Sequence, residues 1–130
     1  MLVDGAGISV DIAAYSFTHT DIANAIIRAK QRGVRIRFVM DYTQSRLKSC
    51  RATDLIGAGI DVRTRHRRGM QHNKYMVIDG EIVLTGSFNF SLSADARNTE
   101  NLMVVRNAPQ LVEAFLENYR ALHADTLRKH

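Results

Sequence analysis

The stretch from Ile8 to Met40 constrains the fold more than any other part of the chain, because strand, helix and strand signals follow one another in it without a linker. Ile8 to Tyr15 is apolar, rich in β-branched residues, of strand length, and preceded by Gly5 and Gly7. Thr18 or Thr20 can cap a helix across Asp21 to Arg32, where Ile22, Ile26 and Ala29 form one stripe and Gly33 supplies the stop. Val34, Ile36, Phe38 and Met40 then alternate with Arg35 and Arg37, the period-two pattern of a strand. Such a βαβ unit predicts an α/β sandwich: a mixed, largely parallel sheet with helices on both faces.

The remaining segments extend the pattern. Arg51 to Ala58 reads as a short helix ending at Gly59, and Ile60 to Arg65 as a further strand. Glu100, Leu102 and Val104 alternate with Asn101, Met103 and Val105. Asn107 and Pro109 open a final helix with Leu111, Phe115, Tyr119 and Leu122 on one face, a stripe suited to core packing. At 130 residues the chain has room for one domain with a real core, and an activity needing two copies of a site must recruit a second chain. Cys50 is the only cysteine, which excludes an intrachain disulfide and a cysteine-based zinc cluster but leaves an intermolecular bridge open. No apolar run is long enough for a membrane-spanning helix, so no integral membrane association is expected.

One constellation carries chemistry. His72-Asn73-Lys74 is followed after four residues by Asp79, and after six more by Gly86-Ser87-Phe88-Asn89. On a strand, His72 and Lys74 share a face about 6 to 7 Å apart, so both can reach one phosphate. Asp79-Gly80 suits a two-residue hairpin turn, which pairs Val77 with Ile82, Tyr75 with Leu84 and His72 with Ser87; a longer turn shifts this register by one. The turn alone also explains an Asp before Gly. A phosphodiester under attack gathers negative charge on its nonbridging oxygens, and Lys74, the Asn89 amide and Ser87 are suitable clamps for it. Neutral imidazole can attack phosphorus to give a phosphohistidine that water later resolves, while a second group protonates the departing oxygen. No cofactor or metal is required.

The motif resembles the HKD signature of the phospholipase D superfamily, matched by His72, Lys74, Asp79, Gly86, Ser87 and Asn89. From about Ile8 through the last helix, the chain is similar to the small single-motif endonucleases of that superfamily. Ala14-Tyr15-Ser16-Phe17-Thr18, Gly86-Ser87-Phe88-Asn89-Phe90 and Asn98-Thr99-Glu100-Asn101 carry the match. The resemblance implies a homodimer whose two motifs meet at a twofold axis, with His72 of one copy as nucleophile and that of the other as general acid. It also implies that Glu100 holds the far ring nitrogen of His72. Independently, the phase of Glu100 with Leu102 and Val104 points it inward. The resemblance further implies a leader peptide, and a strand and helix ahead of the segment matching Ile8 to Tyr15. This sequence begins almost at that segment, like a shortened form, so apolar surface beside the first strand is expected to be uncovered.

Substrate and location are less constrained. The net charge of +5 favours polyanions. Arg63, Arg65, Arg67 and Arg68 form a basic run leading through Gly69 into the motif, with Arg46, Lys48 and Arg51 in the earlier loop, a pattern that suits a nucleic-acid backbone. With few aromatics near, base stacking has little to work with, and no apolar interfacial patch favours lipid. Nonspecific hydrolysis of DNA or RNA is the first expectation. A lipid-headgroup phosphodiesterase, or a silent nucleic-acid-binding module if the short N-terminus prevents dimerisation, are the alternatives. Tyr15 and Ser16 can line the cleft or serve core and turn roles, while His19, His66, His123 and His130 read as ordinary surface residues. Met1 to Val10 lacks a signal-peptide layout, which as written predicts an intracellular protein, or a periplasmic or secreted one if a leader precedes it.

Overall fold

A computed structural model of the chain describes residues 2–66, 69–91 and 97–129. Seven strands form one sheet: β1 (Ser9–Ala14), β2 (Arg35–Asp41), β3 (Val62–Arg65), β4 (Tyr75–Ile78), β5 (Ile82–Gly86), β6 (Leu102–Val105) and β7 (Leu127–Arg128), in the order β6-β5-β4-β1-β2-β3-β7. The helices among the described residues are α1 (Thr20–Gln31), α2 (Tyr42–Ser45), α3 (Ala52–Gly57) and α4 (Pro109–Ala124). The sheet is mixed, as expected. Parallel pairing is confined to β1-β2 and β2-β3, whereas β4, β5, β6 and β7 all join antiparallel, so the parallel share is smaller than the sequence implied. The βαβ unit supplies the parallel part; the tight turn after β4 can only return antiparallel.

The two faces are covered differently. On one, α1 and α3 bury Ile22, Ile26, Ala29 and Leu55 against Ile12, Ile36, Phe38 and Met40. On the other, α4 lays Val112 and Tyr119 on Ala13, Val39, Tyr75, Val77 and Val83, with Phe115 and Leu122 partly buried beside them. Leu111, expected on that stripe, is 42% exposed, and Val112 takes its place. Within the α4 face Asp11, 1% exposed, accepts from Arg37 Nε at 2.6 Å, and the guanidinium lies 5.0 Å from the Tyr119 ring centre. That pairing lets a carboxylate stand in a central strand.

Several local expectations change. His19, not Thr18 or Thr20, caps α1: its Nδ1 accepts from the Ile22 amide at 3.4 Å, and the residue is buried rather than on the surface. His123 is half-buried beside Tyr119. Strand β6 lies at the sheet edge, where Leu102, Met103 and Val104 are 50%, 59% and 43% exposed, so neither phase of its alternation points inward. An apolar groove lined by Leu2, Val3, Ile22, Leu84, Phe88 and Leu102 runs beside it. Ile8, just ahead of β1, is also exposed. Exposed apolar surface ahead of β1 accords with the expectation from sequence, whereas the apolar edge at β6 does not, because an edge strand is not recognisable from its own residues.

Candidate active site

The turn after β4 sets the geometry of the site. Asp79 and Gly80 both have positive φ, 55° and 63°, and Glu81 N donates to Ile78 O at 3.0 Å, as a hairpin turn requires. Glu81 is nevertheless an extra residue, so β4 and β5 pair Ile78 with Ile82, Val77 with Val83, Met76 with Leu84 and Tyr75 with Thr85. The expected register was one residue different, and Ser87 does not stand across from His72. Strand β4 also begins only at Tyr75, so His72 and Lys74 occupy a loop rather than a strand face.

Gln71, 2% exposed, holds that loop. Its amide nitrogen donates to the carbonyls of Ala14 at 2.8 Å and Asn73 at 3.3 Å, and its side-chain oxygen accepts from Asn73 N at 2.8 Å. Its backbone N–H donates to Asp41 Oδ1 at 3.0 Å, and Asp41 Oδ2 caps α2 by accepting from Gln44 N. A side chain thus replaces the ladder bonds that a strand would supply. Sequence reading passed over both Gln71 and Asp41; two buried polar residues beside the motif, each needing a partner, were the available signal.

The loop presents an exposed His72 whose ring packs against Tyr15, centres 4.7 Å apart. Lys74 Nζ lies 3.0 Å from His72 Nδ1, donates to the His72 carbonyl at 2.7 Å, and stands 5.6 Å from the Tyr15 ring centre. Lys74 Nζ also lies 3.3 Å from His72 Nε2, so the ammonium sits against both ring nitrogens. Burial lowers the Lys74 ammonium from its ordinary value, and the nearby Glu100 carboxylate opposes that shift.

Glu100 does not reach His72 among the described contacts. Its carboxylate accepts from Ser87 Oγ at 2.6 Å and from Asn98 Nδ2 at 3.2 Å. Pairing of Gly86 with Leu102 sets Glu100 and Asn101 beside Ser87, whose Oγ in turn accepts from Asn101 N at 2.9 Å. The single Ser87 hydroxyl proton is therefore committed to Glu100 rather than free for a phosphate. Phe90 pairs with Phe17 in an isolated parallel bridge, and the Thr18 and His19 amides donate to its carbonyl. The Ser87 to Phe90 segment thereby lies along the same end of β1 that carries Tyr15. In it, Asn89 Oδ1 is buried without a hydrogen-bond partner, an uncommon state outside a functional site.

Asp79 stands apart from this constellation, at the opposite end of β4. Its carboxylate accepts from the backbone N–H groups of Gly7, Ile8 and Ser9 at 3.1, 2.7 and 3.0 Å. It ties the entry of β1 to the hairpin and touches nothing at His72. The basic run also divides. Arg63 Nε is paired with Asp61 at 2.9 Å and Arg65 Nε with Asp125 at 3.2 Å, so the charge of each guanidinium is partly offset, and Arg67 and Arg68 lie outside the described residues. Among the described residues no three His, Cys, Asp or Glu side chains are grouped so as to hold a metal ion.

Residues 2–122 match a family described as cardiolipin synthase, PLD-like domain. A Rickettsia felis protein named phospholipase D is 37% identical over 117 residues, covering 90% of this chain and 58% of that protein. A mitochondrial cardiolipin hydrolase of Chlamydomonas reinhardtii is 31% identical over 114 residues, 88% of this chain and 51% of that protein. The crystal structure of a phospholipase D family member, Nuc, from Salmonella typhimurium superposes with a TM-score of 0.94 at 35% identity, covering 98% of this chain and 86% of that one. The chain thus spans little more than half the length of the curated relatives it matches.

Proposed function

Because the chain belongs to the phospholipase D superfamily, as a PLD-like domain, we propose that it is a metal-independent phosphodiesterase, acting as a nonspecific endonuclease on DNA or RNA in a homodimeric site. The observation that carries this reading is the exposed His72 ring, backed by Tyr15, with Lys74 Nζ 3.0 Å from Nδ1, on a loop pinned by a buried Gln71. A nucleophile and a cation are thereby held together at an open surface. In the proposed reaction a His72 ring nitrogen bonds to phosphorus and the bond to the leaving oxygen breaks. That oxygen takes its proton from His72 of the second copy, which then removes a proton from the water that cleaves the N–P bond. Lys74 turns on its flexible stem to the nonbridging oxygens, and the Asn89 side chain, whose Oδ1 lacks a partner, offers its amide protons there. Ser87 and Glu100 position this edge rather than touch phosphate, and Asp79 serves the fold.

A second reading, hydrolysis of a phospholipid headgroup ester, is favoured by one observation: the apolar strip Leu102-Met103-Val104 begins two residues beyond Glu100. Plasmid DNA and vesicles containing cardiolipin, each incubated with the protein in EDTA beside a His72→Ala control, separate the two. The expected result is nicking of the plasmid and intact lipid, with the variant reduced by roughly a thousandfold or more. Undiminished cleavage by the variant removes His72 from the mechanism, complete loss in EDTA points to a metal, and lipid turnover alone selects the second reading.

A further inference from the structure

Arg63 and Arg65 are each paired with a carboxylate, and among the described residues a group of cations without one lies in a cleft elsewhere. A cleft of about 550 Å³ opens between the loop after α2 and the C-terminal strand β7. Arg46, Lys48, Arg128 and Lys129 line it, and among the described residues no Asp or Glu does. Arg128 is paired with Asp61 at 3.0 Å; Arg46, Lys48 and Lys129 have no carboxylate within ion-pair distance among the described residues. Three like charges around one cleft repel one another and leave a positive potential that a polyanion relieves.

The rim adds a second feature. Arg46 donates to the Tyr42 hydroxyl at 2.8 Å, and the Tyr42 ring stacks on His66, centres 3.9 Å apart and planes within 7°. His66 is exposed, so the stack ends at the surface in a flat ring, the kind of platform on which a nucleobase settles. Tyr42 follows directly on β2 and His66 on β3, which puts the rim at the C-terminal ends of the parallel strands, where α/β sheets bind their ligands. Helix α2, which lines the cleft, also reaches toward His72: Gln44 Nε2 donates to the Tyr15 hydroxyl at 3.2 Å, and Tyr15 packs on His72.

We propose that the cleft of Arg46, Lys48 and Lys129, with the Tyr42–His66 stack at its rim, is a second phosphate-binding subsite that holds single-stranded nucleic acid flanking the scissile bond. Its ligand rests on the nuclease reading. Lys48 and Arg46 take the backbone phosphates, Lys129 closes the cleft just after β7, and the outer face of His66 takes a base. Binding here adds to the grip on a strand and leaves the chemistry at His72 unchanged.

The test is anisotropy of a labelled oligothymidylate of roughly 12 nucleotides, read across a salt series in a His72→Ala background that prevents turnover. Arg46→Gln with Lys48→Gln should raise Kd about tenfold or more and lower the salt slope by about 1.4, near 0.7 for each lost contact. Lys48→Gln with Lys129→Gln, which spares the Tyr42 hydrogen bond, should do the same if the cleft rather than the stack geometry is responsible. Lys30→Gln with Arg35→Gln removes equal charge from an exposed region elsewhere and should leave both readings within about twofold. With His72 intact, turnover of a small chromogenic phosphodiester should match the wild type in every cleft variant. An unchanged Kd and slope in both cleft pairs, or an equal loss in the Lys30/Arg35 pair, overturns the subsite. Weakened binding to cardiolipin vesicles with unchanged oligonucleotide binding overturns it in favour of a lipid headgroup. Failure of the wild type to turn over the small diester sinks the phosphodiesterase reading instead, while the oligonucleotide measurement still decides the subsite.

Discussion

At Asp79 one carboxylate joins the entry of β1 to the β4–β5 turn, accepting from three consecutive amides while the residue itself sits at φ 55°. Burial pushes its carboxyl up, but hydrogen bonds from Ser9, Ile8 and Gly7 and the charge of Arg32 together hold it below the ordinary value. Asp79→Asn keeps the left-handed conformation, since Asn tolerates it, removes the charge and turns one acceptor oxygen into an NH2 donor. It should cost about 1 kcal/mol at neutral pH. A depressed carboxyl contributes stability above its unfolded value, near about 4, and loses that contribution as pH falls through the folded value. Urea denaturation of both proteins should therefore show a gap that is constant from neutral pH to about 5 and closes below about 4. A gap that persists in acid would assign the effect to shape rather than charge. Phosphodiesterase activity of the folded variant should stay close to wild type, because the carboxylate lies at the far end of β4 from His72.

The junction of β5 and β6 is where an element, rather than a residue, carries the site. A Cβ on Gly86 would press into the carbonyl oxygen and carbon of Asn101, backbone atoms that have no room to retreat without parting the strands. Gly86→Ala should cost about 2 kcal/mol and displace Ser87 from Glu100 and Asn101, lowering activity as well. Gly57→Ala, where a Cβ meets nothing within 4 Å, is the matched control and should leave both unchanged. Equal behaviour of the two variants would deny the close approach any importance. Sequence reading reached β1, α1, β2, α3, β3 and α4 because each carries its own signal: a period, a cap or a stop glycine. It brought the right residue types to the site but not their contacts. The start of β4 was hidden because Gln71 holds His72 and Asn73 through side-chain bonds that leave no periodic trace. The position of Ser87 relative to His72 depended on a register shifted by the extra Glu81, and the exposure of β6 depended on sheet order. Both are long-range properties, and α2 and β7 are too short to announce themselves.

For the whole molecule, a single motif in 130 residues leaves the proposed chemistry one histidine short. Attack and leaving-group protonation need opposite protonation states at the same moment, which one imidazole cannot provide. His72 is exposed at the ends of β1 and β4, and the proposed dimer would bring a second copy to it across a twofold axis. The chain's apolar edge at β6 and its groove do not include His72, and a dimer made there instead would leave two independent, incomplete sites. Mixed oligomers distinguish these arrangements. Equal amounts of wild-type and His72→Ala chains, unfolded together and refolded, pair at random, so about a quarter of the dimers carry two wild-type chains. If both histidines act in one site, the mixture should retain about a quarter of the activity of an equal amount of wild-type dimer. Retention of about half would mean that each chain works alone and would remove the second His72 from the mechanism. Sedimentation of the same samples must show a dimer for either figure to be read this way; a monomer with full activity would require the leaving-group proton to come from within one chain.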